Sequence, residues 1–167
     1  MKFVVILYDI RSVHNVGSIF RTADGAGFEK IYLCGITPPP LDRFGKVRPD
    51  FAKVALGAES SVAWEIVSDI KELIATLRND GWMIFALEQA EGSVPVRSIS
   101  DEIGEEGNYA LIIGNEVDGV SPDILALVDK VMEIPMRGAK ESLNVSVAFG
   151  IAAYYLTSPE KKPGGSL

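Results

Sequence analysis

The 167-residue sequence predicts an α/β domain, a mostly parallel sheet with helices on both faces. Five apolar runs of strand length, helical patterns between them, and polar loops leaving the strand ends carry that expectation. Continuous rather than alternating apolar runs mean burial on both faces, as in a parallel sheet. Strands that alternate with helices specify crossover connections. The length suits one core of the usual ~100–200 residues. A single domain is expected over residues 1–157, with a disordered tail over 158–167, where Lys161-Lys162-Pro163-Gly164-Gly165 lies.

Taken in order, Phe3 to Tyr8 is the first strand, and a polar turn from Asp9 leads into a helix over Val16 to Ala26. Lys30 to Cys34 is the second strand, followed by a long loop, Gly35 to Pro49, that holds Pro38-Pro39-Pro40. A helix over Asp69 to Arg78 has Ser68 as its cap and Gly81 just past its end. The strand Trp82 to Leu87, the loop Glu88 to Gly107 and the strand Tyr109 to Ile113 follow. Ser121 with Pro122 reads as a cap plus first-turn proline for a helix to Val128. The last units are a strand over Val131 to Pro135, a loop over Arg137 to Glu141 and a helix over Leu143 to Leu156. In open parallel sheets ligands bind outside the carboxyl ends of strands, and the long loops all leave such ends.

Composition removes several function classes. The longest strongly apolar stretch, Val145 to Leu156, is too short for the ~20 residues a spanning helix needs, so no membrane partner is expected. The opening run Phe3 to Leu7 has no cleavage signature of an export signal. Cys34 is the single cysteine and His14 the single histidine, which excludes an internal disulfide and a Cys/His zinc site. A reducing cytoplasm and no metal follow as expectations. Phosphate-loop, dinucleotide-loop and nucleophile-elbow patterns are missing, and a Ser-His-Asp site would rest on His14 alone. Cys34 closes an apolar strand and reads as a small hydrophobe.

The net charge of −7 argues against a nucleic-acid partner, but its distribution is uneven. Residues 1–53 carry eight Lys/Arg against five Asp/Glu, and the remainder carries eight against eighteen. Arg11, Arg21, Arg43, Lys46, Arg48 and Lys53 supply the surplus in or near the N-terminal loops, either as a solvated surface or as a phosphate-binding one.

Three segments carry polar groups at strand mouths. The first runs Asp9-Ile10-Arg11-Ser12-Val13-His14-Asn15-Val16-Gly17-Ser18-Ile19-Phe20-Arg21. Asn15 reads as a plain N-cap or as a ligand-orienting amide. Arg21, between Ile19, Phe20 and Ala23, reads as a largely buried arginine that calls for an anion. The second is Ile113-Gly114-Asn115-Glu116-Val117-Asp118-Gly119-Val120, where Gly114 lets a ligand approach the backbone and Glu116 sits at the strand mouth. The third is Ile134-Pro135-Met136-Arg137-Gly138-Ala139-Lys140-Glu141-Ser142-Leu143-Asn144-Val145-Ser146. Ser142 and Asn144 can each cap the following helix, and only one can do so, which leaves the other polar group unexplained.

In this order, N-x-x-x-x-x-R, I-G-N-E-x-x-G-[VL] and I-P-M-x-G-x-x-x-S-L-N-V-S-V-A resemble the signature motifs of the SpoU (TrmH-like) branch of the SPOUT RNA methyltransferases. The resemblance spans roughly Val4 to Leu156 and includes Ala55-Leu56-Gly57-Ala58-Glu59; the acidic total charge is the departure. It implies a C-terminal deep trefoil knot, S-adenosyl-L-methionine as cofactor, and transfer of a methyl group to a ribose 2'-hydroxyl of RNA. It implies a homodimer in which Arg21 of one chain meets the cofactor of the other. Cofactor contacts would come from Leu87, Glu88, Gly114, Ile134, Met136 and Leu143, and the functional polar set would be Asn15, Arg21, Glu116, Ser142 and Asn144. By the same analogy, the lack of an appended RNA-binding domain favours tRNA over rRNA. The competing readings are a catalytically silent subunit that binds RNA or the cofactor, and methylation of an RNA base atom.

Overall fold

A computed structural model describes residues 1–100, 103–104 and 106–157; the expected tail over 158–167 lies outside the described residues. Among the described residues seven strands form one sheet in the order β3-β2-β1-β6-β4-β7-β5. They are β1 (Lys2–Tyr8), β2 (Lys30–Cys34), β3 (Ala63–Val67), β4 (Trp82–Leu87), β5 (Val94–Pro95), β6 (Asn108–Ile113) and β7 (Lys130–Glu133). Every pairing is parallel.

The apolar run of β1 is continuous because both of its faces are covered. Phe3, Val5 and Leu7 join one core cluster, and Val4 and Ile6 join another on the opposite face. That division is the two-residue period of a strand at work. On the first face lie α1 (Val13–Ala26), α2 (Pro49–Ala55), α3 (Ala58–Ser61), α5 (Val96–Ser100) and α7 (Val145–Thr157). The second face is covered by α4 (Ile70–Asn79), through Ile70, Leu73, Ile74 and Leu77, and by α6 (Pro122–Leu125), through Ile124.

Helix α1 starts three residues before the expected Val16, because the Ser12 hydroxyl accepts from Asn15 N and caps it there. Asn15 is therefore inside the helix and is not its cap. Helix α4 is capped by Asp69 and not by Ser68: the Asp69 carboxylate accepts from Lys71 N and Glu72 N. A carboxylate with two backbone donors outcompetes a neighbouring hydroxyl that would have to shift the helix start by a residue. Ser121 precedes α6 in extended conformation, as a cap residue should, but its hydroxyl makes no cap bond, and the helix stops at Leu125 instead of Val128. Strand β7 ends at Glu133, so Ile134 and Pro135 belong to the loop that follows.

Two strands escaped the sequence reading because they lie at the sheet edges. In β3 residues Ala63, Glu65 and Ile66 are exposed, which breaks the run of buried positions. Strand β5 is two residues long and contains Pro95, a residue tolerated only at edges. Its register is informative. Leu87 of β4 and Val94 of β5 both pair with Met132 of β7, so residues 88–93 bridge across β7 at the level where the chain of β7 itself continues onward.

Replacing Asp69 by alanine should lower the unfolding free energy by about 1 kcal/mol, while Ser68→Ala should change it by a few tenths at most. Urea titration of the two variants measures this, and the reverse order would return the cap to Ser68.

Candidate active site

The carboxyl ends of β4, β6 and β7 open on a cavity of about 460 Å3, within the usual ~300–1,000 Å3 of small-molecule sites. Leu87 and Glu88 line it from β4, Ile113 and Gly114 from β6, Ile134 and Met136 from the loop after β7, and Leu143 from the approach to α7. All six residues expected to touch a cofactor are thus gathered at one cavity. Glu116, Ser142 and Asn144 line it as well. Gln89, Asn115, Val117, Glu133 and Val145 also line it and were not anticipated. For Glu133 the signal was its position at the end of a strand, but it had been placed inside one.

The wall is held by hydrogen bonds that join the three motif segments. Asn15, only 8% exposed, must find partners for its amide. Its Nδ2 donates to Glu116 Oε1 at 2.8 Å, and its Oδ1 accepts from Asn144 Nδ2 at 3.1 Å. Glu116 also accepts from the backbone N–H groups of Arg11 and Ser12, at 3.2 and 3.3 Å. Asn144 Oδ1 accepts from Ser146 N at 2.9 Å, and so Asn144 is the cap of α7. Ser142 is the remaining polar group, and it faces the cavity.

Burial pushes the Glu116 carboxyl up, but the bonds donated by Asn15 and by the backbone N–H groups of Glu116, Arg11 and Ser12 outweigh it and hold the group below the usual carboxylate range. It is an ionised acceptor at neutral pH and a weak base, suited to orienting Asn15 rather than to removing protons.

Glu88, expected to contribute its backbone to cofactor contacts, also has a structural role through its side chain. One oxygen accepts from Val120 N at 2.9 Å and the other from Gln89 N, so its carboxylate straps the 115–120 loop to the end of β4. Gly114, expected to admit a ligand to the backbone, lines the cavity, and the chain itself also comes close to it. A Cβ there would lie 2.2 to 2.4 Å from backbone atoms of Gly119 and Val120. The glycine exists so that the loop can fold back against β6, with Asn115 and Gly119 bridged.

Arg21 departs most from expectation, because it is exposed rather than buried and lies outside the cavity lining. His14, Ser18, Arg21 and Gly25 recur at helical spacing along the outward stripe of α1, while Ile19, Phe20 and Ala23 face the core. Beside that stripe runs α7: the Tyr154 hydroxyl lies 3.3 Å from a Cβ built on Gly25, and Thr22 lies 3.7 Å from one built on Gly150. Val147, Tyr154 and Tyr155 of α7 are exposed, Val147 at 50% and Tyr154 at 53%.

Elsewhere, burial and the nearby carboxylates of Asp9 and Asp69 push the Cys34 thiol up to about 12, so it carries no thiolate at neutral pH. Among the described residues no cluster of His, Cys, Asp and Glu could hold a metal ion, and no helix is long and apolar enough to cross a membrane.

Comparison with known proteins agrees with this geometry. Residues 2–154 match the model of the SpoU rRNA Methylase family. The chain is 30% identical over 164 residues to a 23S rRNA (guanosine-2'-O-)-methyltransferase of Coxiella burnetii, covering 98% of this chain and 61% of that protein. It is 30% identical over 161 residues to the tRNA (guanosine(18)-2'-O)-methyltransferase of Aquifex aeolicus, covering 96% and 71%. The chain therefore spans less than two thirds of the first of these relatives. Among solved structures, the A. aeolicus TrmH/SpoU tRNA modifying enzyme superposes with a TM-score of 0.78 at 30% identity over 93% of this chain and 74% of that one. The AdoMet-bound rRNA methyltransferase of Sinorhizobium meliloti does so with 0.79 at 28% identity, over 93% and 55%.

The depressed Glu116 acidity has a sign that can be checked. Its contribution to stability should be fully present above the unfolded carboxylate value of about 4.3 and should fade as pH falls through the lower folded value. Urea unfolding followed from neutral to acidic pH should show a steeper acid loss in the parent than in Glu116→Gln; matching curves would remove Glu116 from the account.

Proposed function

Because the chain belongs to the SpoU rRNA Methylase family, we propose that it is an S-adenosylmethionine-dependent methyltransferase acting on a ribose 2'-hydroxyl of RNA. The observation that carries this is the cavity at the ends of β4, β6 and β7, where every charged residue among the described lining, Glu88, Glu116 and Glu133, is acidic and apolar side chains such as Leu87, Ile134, Met136 and Leu143 share the wall with uncharged polar ones. Such a site suits a cationic, partly apolar molecule and repels a phosphate-bearing nucleotide. S-adenosylmethionine, when bound, supplies a methyl group on a positively charged sulfur. Leu87, Gly114, Ile134, Met136 and Leu143 would hold it, with Glu88 keeping the 115–120 loop in place.

A ribose hydroxyl is a weak nucleophile, so alignment matters more than a strong base. Arg21 is assigned to clamp the phosphate next to the reacting ribose: a guanidinium is a donor only, always charged and suited to bidentate phosphate binding. An oxygen of that phosphate can accept the hydroxyl proton. Asn15 and Glu116 hold the start of α1 in register with the cavity, and Ser142 and Asn144 position the ribose at its rim.

The exposure of Arg21 beside the apolar stripe of Val147, Tyr154 and Tyr155 supports a homodimer in which a second copy covers that stripe and Arg21 reaches the partner's cavity. The bridging of residues 88–93 across β7 supports a threaded, trefoil-knotted C-terminal segment over the domain 1–157. A tRNA substrate, a cytoplasmic location and independence of metal complete the proposal; the single buried Cys34 fits a reducing compartment.

Incubation of the purified chain with S-adenosylmethionine and bulk tRNA or rRNA, followed by nucleoside mass spectrometry, should place the methyl on ribose. A base-methylated product would contradict the acceptor assignment. Arg21→Ala should reduce turnover by at least about a hundredfold while calorimetry shows cofactor affinity unchanged; retained turnover would remove Arg21 from the mechanism.

A further inference from the structure

The loop after β2 is built as a rigid finger. Leu41 and Val47 form an antiparallel bridge, Asp42 N donates to Lys46 O at 2.8 Å, and Arg48 N donates to Pro40 O at 2.9 Å. At the tip the Asp42 carboxylate accepts from Phe44 N and Lys46 N, at 2.8 and 3.0 Å, and Gly45 supplies the left-handed residue of the turn. This order serves no core. Phe44, at the summit, is 72% exposed, and the Arg43 guanidinium lies over its ring at 4.7 Å from the centroid.

Both stems are anchored to the elements that carry the site. The buried Thr37 hydroxyl accepts from Ile10 N at 3.1 Å and faces the carbonyls of Leu7 and Cys34, joining the incoming stem to the end of β1. The outgoing stem enters α2, whose Phe51 packs edge-on against Phe20 of α1 at 5.1 Å. The finger leaves the same carboxyl edge of the sheet as the cavity. With strands ~4.8 Å apart, β2 stands two strands, about 10 Å, from β6.

A solvent-facing aromatic ring held by backbone bonds, backed by a guanidinium and followed two residues later by the exposed Lys46, has the composition of a base-stacking platform with phosphate contacts. We propose that the 41–47 hairpin docks an unpaired nucleotide of the RNA substrate, Phe44 stacking on its base while Arg43 and Lys46 meet the adjoining phosphates. The proposal rests on the RNA methyltransferase reading above, and it identifies the finger as the element that selects unpaired over fully paired RNA. Arg43 and Lys46 of the finger belong to the surplus positive charge of residues 1–53 in an otherwise acidic chain.

Fluorescence anisotropy with a labelled RNA stem-loop and with a fully paired duplex of the same length tests this. Phe44→Ala should weaken stem-loop binding between about 5- and 150-fold, the effect of one lost stacked base, leave duplex binding unchanged, and leave calorimetric S-adenosylmethionine affinity unchanged. Phe44→Trp should retain affinity, with its indole quenched by the stem-loop against the constant signal of Trp64 and Trp82. Lys46→Ala should lower the slope of log affinity against log salt by about one. Equal stem-loop affinities of the parent and Phe44→Ala, in a parent that binds and methylates RNA, would overturn the finger alone. A parent that binds S-adenosylmethionine but no RNA would overturn both the finger and the RNA reading.

Discussion

The carboxylate of Glu116 and the amides of Asn15 and Asn144 form one hydrogen-bonded chain, and the rest of the site depends on it. These residues lie more than a hundred positions apart in two of the three pairings, yet each belongs to a segment that leaves the same edge of the sheet. An ionised carboxylate that accepts three donors cannot easily let one go, since an unsatisfied buried amide or charge costs more than the bond was worth. The chain of bonds therefore ties the start of α1 to the β6 loop and, through Asn144, to the cap of α7. The β6 loop, the start of α7 and the helix bearing Arg21 are set relative to one another by three side chains.

The parallel sheet makes this possible. With β1, β6, β4 and β7 adjacent and pointing the same way, segments far apart in sequence deliver their loops to one place. Two residues near that edge, Glu88 holding Val120 N and Gly114 admitting the Gly119 turn, serve the chain's own architecture as well as facing the cavity. Residue type and position alone could not separate the two, because a close backbone approach leaves the same glycine whether the neighbour is a ligand or the chain itself.

Much of the fold was legible because burial on two faces writes a continuous apolar run, and β1, β2, β4 and β6 all carry one. The edge strands β3 and β5 did not, since one-sided or two-residue strands leave no such pattern. For the site, it was the resemblance to the SpoU motifs that grouped Leu87, Gly114, Met136 and Asn144, and the structure brings all four to one cavity. Arg21 was misjudged from its neighbours in sequence. A helix buries by face, and the spacing His14, Ser18, Arg21, Gly25 already marked an outward stripe. Asn15 looked like a cap because it precedes the apolar stretch, but Ser12 was available one turn earlier.

The central claim is that the methyl donor sits at the carboxyl ends of β4, β6 and β7 with the three-residue chain of bonds intact beside it. A crystal structure grown with S-adenosylmethionine tests it most directly. The account predicts ligand density enclosed by Leu87, Gly114, Met136 and Leu143, with Asn15 still joined to Glu116 and Asn144. Density elsewhere on the chain, or a filled cavity with that chain of bonds broken, would contradict it.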